Sequence, residues 1–176
     1  MPLAPQVKSG KAICEPSRVS HPFPDHAISQ RVGTRESIPA PLRLCLLGQT
    51  PIHDATVAAR QFGERGNIDP RDVSRLVIVV EEVVTNLYDH GGLGPHDRVT
   101  LELKLQGGEV VLVLTDPAKP FDPSNSDPEQ AIASRGGGAG LKLLRAWASR
   151  IEYQTADGMN RLEVSVPVRF NNIARR

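Results

Sequence analysis

Glu82 and Asn86 stand four residues apart in the segment EEVVTNLYDHGG, with Asp89 and His90 just beyond them. On a helix, at about 100° per residue, Glu82 and Asn86 fall nearly on one line. Val80, Val83 and Leu87 can then face a core while the polar stripe faces a cleft. A carboxylate and an amide in that relation suit a general base and a metal ligand, although a solvated helix face shows the same pattern. Glu81 is rotated by about 100° and aligns with Thr85 instead.

Two further clusters are polar or glycine-rich where a core pattern would continue. DPAKPFDP, residues 116–123, directly follows an apolar run. It reads as a turn, and it also places the Asp116 carboxylate at a sheet edge, where it can accept a hydrogen bond from a ligand amine. RGGGAGLKLL, residues 135–144, opens a helix after four glycines, Gly136, Gly137, Gly138 and Gly140. Backbone N–H groups without side chains, at the positive end of a helix, form a phosphate cradle; a flexible hinge is the alternative. No Gly-Lys-Ser or Gly-Lys-Thr follows, so this is not a Walker-type loop.

These clusters need elements to hold them. Leu42, Leu44 and Leu46 alternate with Arg43, Cys45 and Leu47, which predicts a short strand. Thr50-Pro51 and Asp69-Pro70 both read as a helix cap followed by proline at the first helical position. The first helix carries Ile52, Ala55, Ala59 and Phe62 and is expected to stop at Gly63. The second carries Val73, Leu76, Val77, Val80 and Leu87. It is rich in β-branched residues, and its length of about 20 residues decides for helix over strand. Val99 to Leu105, a Gly107-Gly108 turn and Val110 to Leu114 predict a hairpin. A third helix carries Leu141, Leu144 and Trp147 on one face. Ile151, Tyr153 and Thr155, turned at Asp157-Gly158, return as Leu162, Val164, Val166 and Val168. The order β-α-α-β-β-loop-α-β-β predicts an α+β two-layer sandwich, with a mixed, mostly antiparallel sheet and helices on one face.

Seven of the fifteen prolines fall within the first 41 residues, where no apolar residues recur at a helix or strand period. Residues 1–41 are therefore read as a flexible Pro-rich tail, 42–168 as the folded domain and 169–176 as a basic C-terminal tail. With 21 basic and 20 acidic residues the net charge is +1, which argues against direct nucleic-acid binding through a basic surface. No apolar run approaches the roughly 18 residues of a membrane span, and the N-terminus lacks the apolar core of a secretory signal. A cytoplasmic protein without membrane contact is expected. Cys14 and Cys45 have no metal-ligand spacing and are read as two isolated thiols, with one disulfide as the alternative.

In their order and spacing the three clusters resemble the motifs of the histidine-kinase-like ATPases. Glu82-x-x-x-Asn86-x-x-x-His90-Gly91 is similar to that superfamily's N box. Asp116-x-Ala118-x-Pro120-Phe121-Asp122-Pro123 is similar to its first glycine box, and Gly136-Gly137-Gly138-Ala139-Gly140-Leu141 to its second. The resemblance runs from about Leu42 to Val168. Within the superfamily the pattern is most similar to the small anti-sigma-factor serine/threonine kinases, through the short loop from Asp122 to Arg135 and the closing IEYQTADGMNRLEVSVP. His21 and His26 lie beside prolines that helices avoid, so a sensor kinase with an upstream phospho-accepting helix is disfavoured.

The resemblance implies ATP and Mg²⁺ as ligands. It implies Glu82 as general base, Asn86 as the Mg²⁺ ligand and Asp116 as the partner of the adenine amino group. Gly136 to Gly140 and the start of the following helix would hold the phosphates, with Ala118, Phe121 and Leu141 lining the ATP site. It further implies an anti-anti-sigma protein as phosphate acceptor, a sigma factor as the alternative partner, and a possible homodimer. The alternative is a catalytically weak regulatory module that binds ATP or a partner. Ala118 departs from the family pattern, which has glycine there; its methyl is either accommodated or weakens nucleotide affinity and tilts the base, and any positive φ there would be costly.

Overall fold

The computed structural model describes residues 38–47, 49–124 and 138–171. Five strands form one sheet: β1 (Leu42–Leu46), β2 (Val99–Gln106), β3 (Glu109–Asp116), β4 (Arg150–Ala156) and β5 (Met159–Pro167). Their order across the sheet is β1-β2-β3-β5-β4, and every pairing is antiparallel, so the expected mixed character is absent among these strands. Three helices, α1 (Pro51–Arg65), α2 (Pro70–His90) and α3 (Gly138–Trp147), complete the two layers. The α+β sandwich expected from the sequence is the fold observed. Residues 1–37, which include nearly all of the expected tail, lie outside the described residues.

Register explains how so few aromatic residues suffice for the core. Leu101, Leu103, Leu112, Leu114, Val164 and Val166 occupy alternate positions on the central strands and are all at most 2% exposed. They meet Phe62 of α1, Leu76, Val80 and Val84 of α2, and Leu141 and Leu144 of α3. Both hairpin turns have the backbone that a two-residue turn requires: Gly107 and Gly108 have φ of 59° and 83°, and Asp157 and Gly158 have 53° and 74°. The second turn fixes the inward set of β5 as Asn160, Leu162, Val164 and Val166. One of these is polar, and that exception belongs to the site described below.

Helix ends follow the expected cap chemistry, with one difference. Asp69 caps α2 by accepting from the Arg71 N–H at 2.9 Å. Thr50 occupies the cap of α1, but its hydroxyl donates to Asp54 instead of receiving a backbone N–H. Helix α1 also runs through Gly63 to Arg65. Gly63 is a close-packing residue and not a stop: a Cβ there would come within 2.8 Å of Val73 Cγ2. Without a side chain at that point, α1 and α2 approach closely.

Arg169 to Asn171, read from the sequence as the start of a tail, are held to the domain. Asp72, buried in the first turn of α2, accepts from the Arg169 backbone N–H and Nε, each at 2.9 Å. Phe170 bridges to Ile68, and the Asn171 N–H donates to the Asn67 carbonyl. Cys45 on β1 is disulfide-bonded, which corrects its reading as an isolated thiol; Cys14, the chain's other cysteine, lies outside the described residues. Among the described residues, no helix is long and apolar enough to cross a membrane.

Candidate functional site

A cleft opens between the C-terminal half of α2, the end of β3 and the start of α3. Val83, Asn86, Leu87 and His90 of α2 form one wall, and Leu141 and Leu144 of α3 contribute apolar surface. Asp116, Asn160 and Tyr153 enter from the sheet, and Lys119 and Phe121 from the loop after β3. The period-3.6 stripe on α2 thus reaches the cleft with Asn86 and His90, while Asp89 is not among its lining residues. Asn86 makes no side-chain hydrogen bond among the described residues, so its amide is available to a ligand.

Asp116 is the most buried polar group of the cleft, at 4% exposure. Its Oδ1 accepts from the Ala118 N–H at 2.9 Å and from Asn160 Nδ2 at 2.8 Å. Its Oδ2 accepts from no donor among the described residues. Burial pushes the Asp116 carboxyl above the ordinary carboxylate range, and the hydrogen bonds from Asn160 and Ala118 oppose that rise. The result is a desolvated carboxylate with one oxygen anchored and one open, suited to an amine donor.

Asn160 and Tyr153 were not found from the sequence motifs. Asn160 lies opposite Asp116 in the β3–β5 register and also donates from Nδ2 to the Ala118 carbonyl at 2.8 Å. Its Oδ1 accepts from the Tyr153 hydroxyl at 2.9 Å, and that hydroxyl accepts in turn from the Phe121 N–H at 2.9 Å. The signal in the sequence was a polar residue at an inward position of an otherwise apolar alternation, pinned by the Asp157-Gly158 turn.

Glu82 sits apart from the cleft lining. It is half-buried one turn before Asn86, and Gly140 of α3 lies directly against its carboxylate; a Cβ on Gly140 would overlap Glu82. Burial, and then the neighbouring Glu81, raise the Glu82 pKa. Glu81 is exposed and borders a separate groove with His53 and Arg60, as the rotation between adjacent helical residues requires.

Ala118 lies behind the cleft wall and not on it. It is 9% exposed, its φ is not positive, and its methyl packs toward Gly91 at the end of α2. The cost of a positive φ is therefore absent at Ala118, and its methyl is not among the groups that line the cleft. Gly138 opens α3, and Gly136 and Gly137 lie outside the described residues. Among the described residues, no group of three His, Cys, Asp or Glu side chains could hold a metal ion unaided.

A model of the histidine kinase-like ATPase domain matches residues 49–166, a span holding Glu82, Asn86, Asp116 and the glycine segment. The chain belongs to this ATPase family. A comparison with curated proteins gives no match. Among solved structures, this ATPase domain is similar to a chain of the SiaB-SiaC complex from Pseudomonas aeruginosa, with a TM-score of 0.54 and 17% identity over 75% of this chain and 91% of that one. At that identity the likeness concerns the fold. A further similarity is to the Erythrobacter litoralis EL346 blue-light activated histidine kinase, with a TM-score of 0.47 and 14% identity over 67% of this chain and 41% of that one.

Proposed function

We propose that this ATPase-family chain is an ATP-binding anti-sigma regulatory factor with protein serine/threonine kinase activity, acting on an anti-anti-sigma partner and sequestering a sigma factor. The observation that carries the reading is the convergence of Asn86 of α2, Asp116 of β3 and Leu141 of α3 on one cleft. Asp116 Oδ2 would accept from the adenine amino group, with Leu141, Leu144 and Phe121 against the rings. Gly136 to Gly140 and the start of α3 would hold the phosphates, and Lys119 adds a positive charge at the rim.

The donor set fits Mg²⁺ only in company with a nucleotide. Asn86 offers one amide oxygen, and Mg²⁺ ordinarily completes its octahedron with phosphate oxygens and water. When bound there, the ion would neutralise phosphate charge during phosphoryl transfer. Glu82 would take the proton of the attacking serine or threonine hydroxyl as its oxygen bonds to the γ-phosphorus and the bridge to the β-phosphate breaks. Burial of Glu82 favours this role, because a raised pKa makes a carboxylate a stronger base.

The experiment is transfer of labelled phosphate from Mg-ATP to an anti-anti-sigma protein by wild type and Glu82→Ala. Transfer by the wild type alone, with ATP binding kept in both, is expected. Undiminished transfer by the variant would remove Glu82 from the role of base. A second reading, a binding module with weak or no catalysis, draws on the packing of Glu82 against Gly140 outside the cleft lining. Calorimetric ATP binding without transfer to any such partner would favour it.

A further inference from the structure

The hydrogen bonds around Asp116 have a direction that can be read from their ends. The Phe121 backbone N–H can only donate, so the Tyr153 hydroxyl oxygen accepts from it at 2.9 Å and turns its own proton toward Asn160 Oδ1. The Ala118 carbonyl can only accept, so the Asn160 amide must present Nδ2 to it, at 2.8 Å. Both ends therefore impose the same amide orientation. Asn160 cannot flip without facing its oxygen toward a carbonyl and a carboxylate. In the imposed orientation Nδ2 also donates to Asp116 Oδ1, which already takes the Ala118 N–H. All of these bonds lie between groups fixed by the β3–β5 and β4–β5 registers and by the loop after β3.

We propose that Tyr153 and Asn160 are positioning residues that set base specificity, holding Asp116 so that Oδ2 accepts from a 6-amino purine and rejects a 6-oxo purine. Oδ1 is saturated, so a ligand meets only Oδ2. An ionised carboxylate has no proton to offer the C6 carbonyl of hypoxanthine or guanine, and a buried acceptor left facing a carbonyl is penalised. The donors on Oδ1 oppose the rise that burial imposes on the carboxyl. Without them it gains a proton more readily and can donate to a carbonyl, which erodes the discrimination. The same two residues tie the Phe121 backbone to the sheet, so the loop beside the base is set with Asp116. This proposal rests on the reading of the cleft as a nucleotide site.

The test is calorimetric titration of the full chain with Mg-ATP and with Mg-ITP, whose bases differ at C6. Wild type, Tyr153→Phe and Asn160→Leu would be compared, with thermal melts as a control of folding. Wild type should prefer ATP. Asn160→Leu should lose about 10-fold in ATP affinity, as expected for one lost hydrogen bond to a charged group, and Tyr153→Phe, which acts on Asp116 only through Asn160, about 3-fold, with ITP affinity unchanged in both. A purely structural role would weaken both nucleotides alike, and that result would overturn the proposal. So would variants that keep the wild-type ratio, or a wild type without preference. A wild type that binds neither nucleotide would overturn the nucleotide reading itself. Tyr153→Phe, which leaves the ring in place, decides the matter if Asn160→Leu fails to fold.

Discussion

The methyl of Ala118 packs on Gly91: a Cβ at Gly91 would stand 2.8 Å from Ala118 Cβ. The Lys119 N–H also donates to the Gly91 carbonyl at 2.9 Å, so the end of α2 and the loop after β3 are joined at one point. Gly91 is buried and has the φ of an ordinary helical residue, −72°, so space and not backbone conformation requires glycine there. Gly91→Ala should destabilise the fold by about 1–3 kcal/mol through overpacking. Adding Ala118→Gly should recover part of that loss, and urea melts of both single variants and the double variant would measure the coupling.

Ala118→Gly on its own separates the two consequences of the departure from the family pattern. The methyl faces Gly91, so its removal should cost stability, on the order of 1 kcal/mol, from lost packing and added chain freedom. ATP affinity should stay at the wild-type value, because no methyl leaves the cleft. A calorimetric gain in affinity would show that Ala118 does crowd the base.

Glu82 connects stability with the proposed chemistry. Its pKa is raised in the fold by burial and by Glu81. Such a group adds stability below the unfolded pKa of about 4.3, and that contribution fades as pH rises through the folded value. Glu82→Gln removes the titration. The variant should melt higher than the wild type at pH 7, with the advantage shrinking toward pH 4, and should lose phosphate transfer. In the wild type, the acid limb of transfer should lie above the ordinary glutamate range. Melts and transfer rates across pH 4–8 check both.

Gly140 supplies the surface against which Glu82 rests, and any side chain there overlaps the carboxylate. Gly140→Ala must displace either Glu82 or the first turn of α3. Displacement of a proposed base by about 1 Å can cost on the order of 100-fold in rate. Transfer should therefore fall by about that factor, a drop that single-turnover measurements at saturating ATP would resolve from any loss of binding.

Most of the element order was legible in the sequence because its signals are local. Alternation in β2, β3 and β5, proline after a cap residue at Thr50 and Asp69, and the turn pairs Gly107-Gly108 and Asp157-Gly158 each depend on neighbouring residues. Apart from the Thr50 cap, the differences involve partners outside the local pattern. Gly63 looks like a helix stop until Val73 is placed against it, and the Ala118 methyl has a packing partner only once Gly91 is placed behind it. Asn160 stands out in the sequence only as a polar residue at an inward position, because its role comes from Asp116, 44 residues earlier, through strand register. Local pattern fixes which residues face inward; only the register shows which inward polar residues meet.

Asp72 titrates in the opposite sense to Glu82. It is buried in α2, and the hydrogen bond from the Arg169 side chain does most to hold its carboxyl below the usual carboxylate range, against a rise from burial. Arg75 reaches the same carboxylate at 3.2 Å. A depressed folded pKa means that the stabilisation is present above the unfolded value of about 3.9 and is lost as pH falls through the folded one. Asp72→Asn should therefore cost about 1–3 kcal/mol at pH 7, since one amide cannot accept all of these donors. The gap between variant and wild type should close as pH falls below about 4. Urea melts at pH 7 and at pH 3 would show it, and an unchanged gap at the lower pH would mean that packing, and not the charge on Asp72, holds Arg169 to the domain.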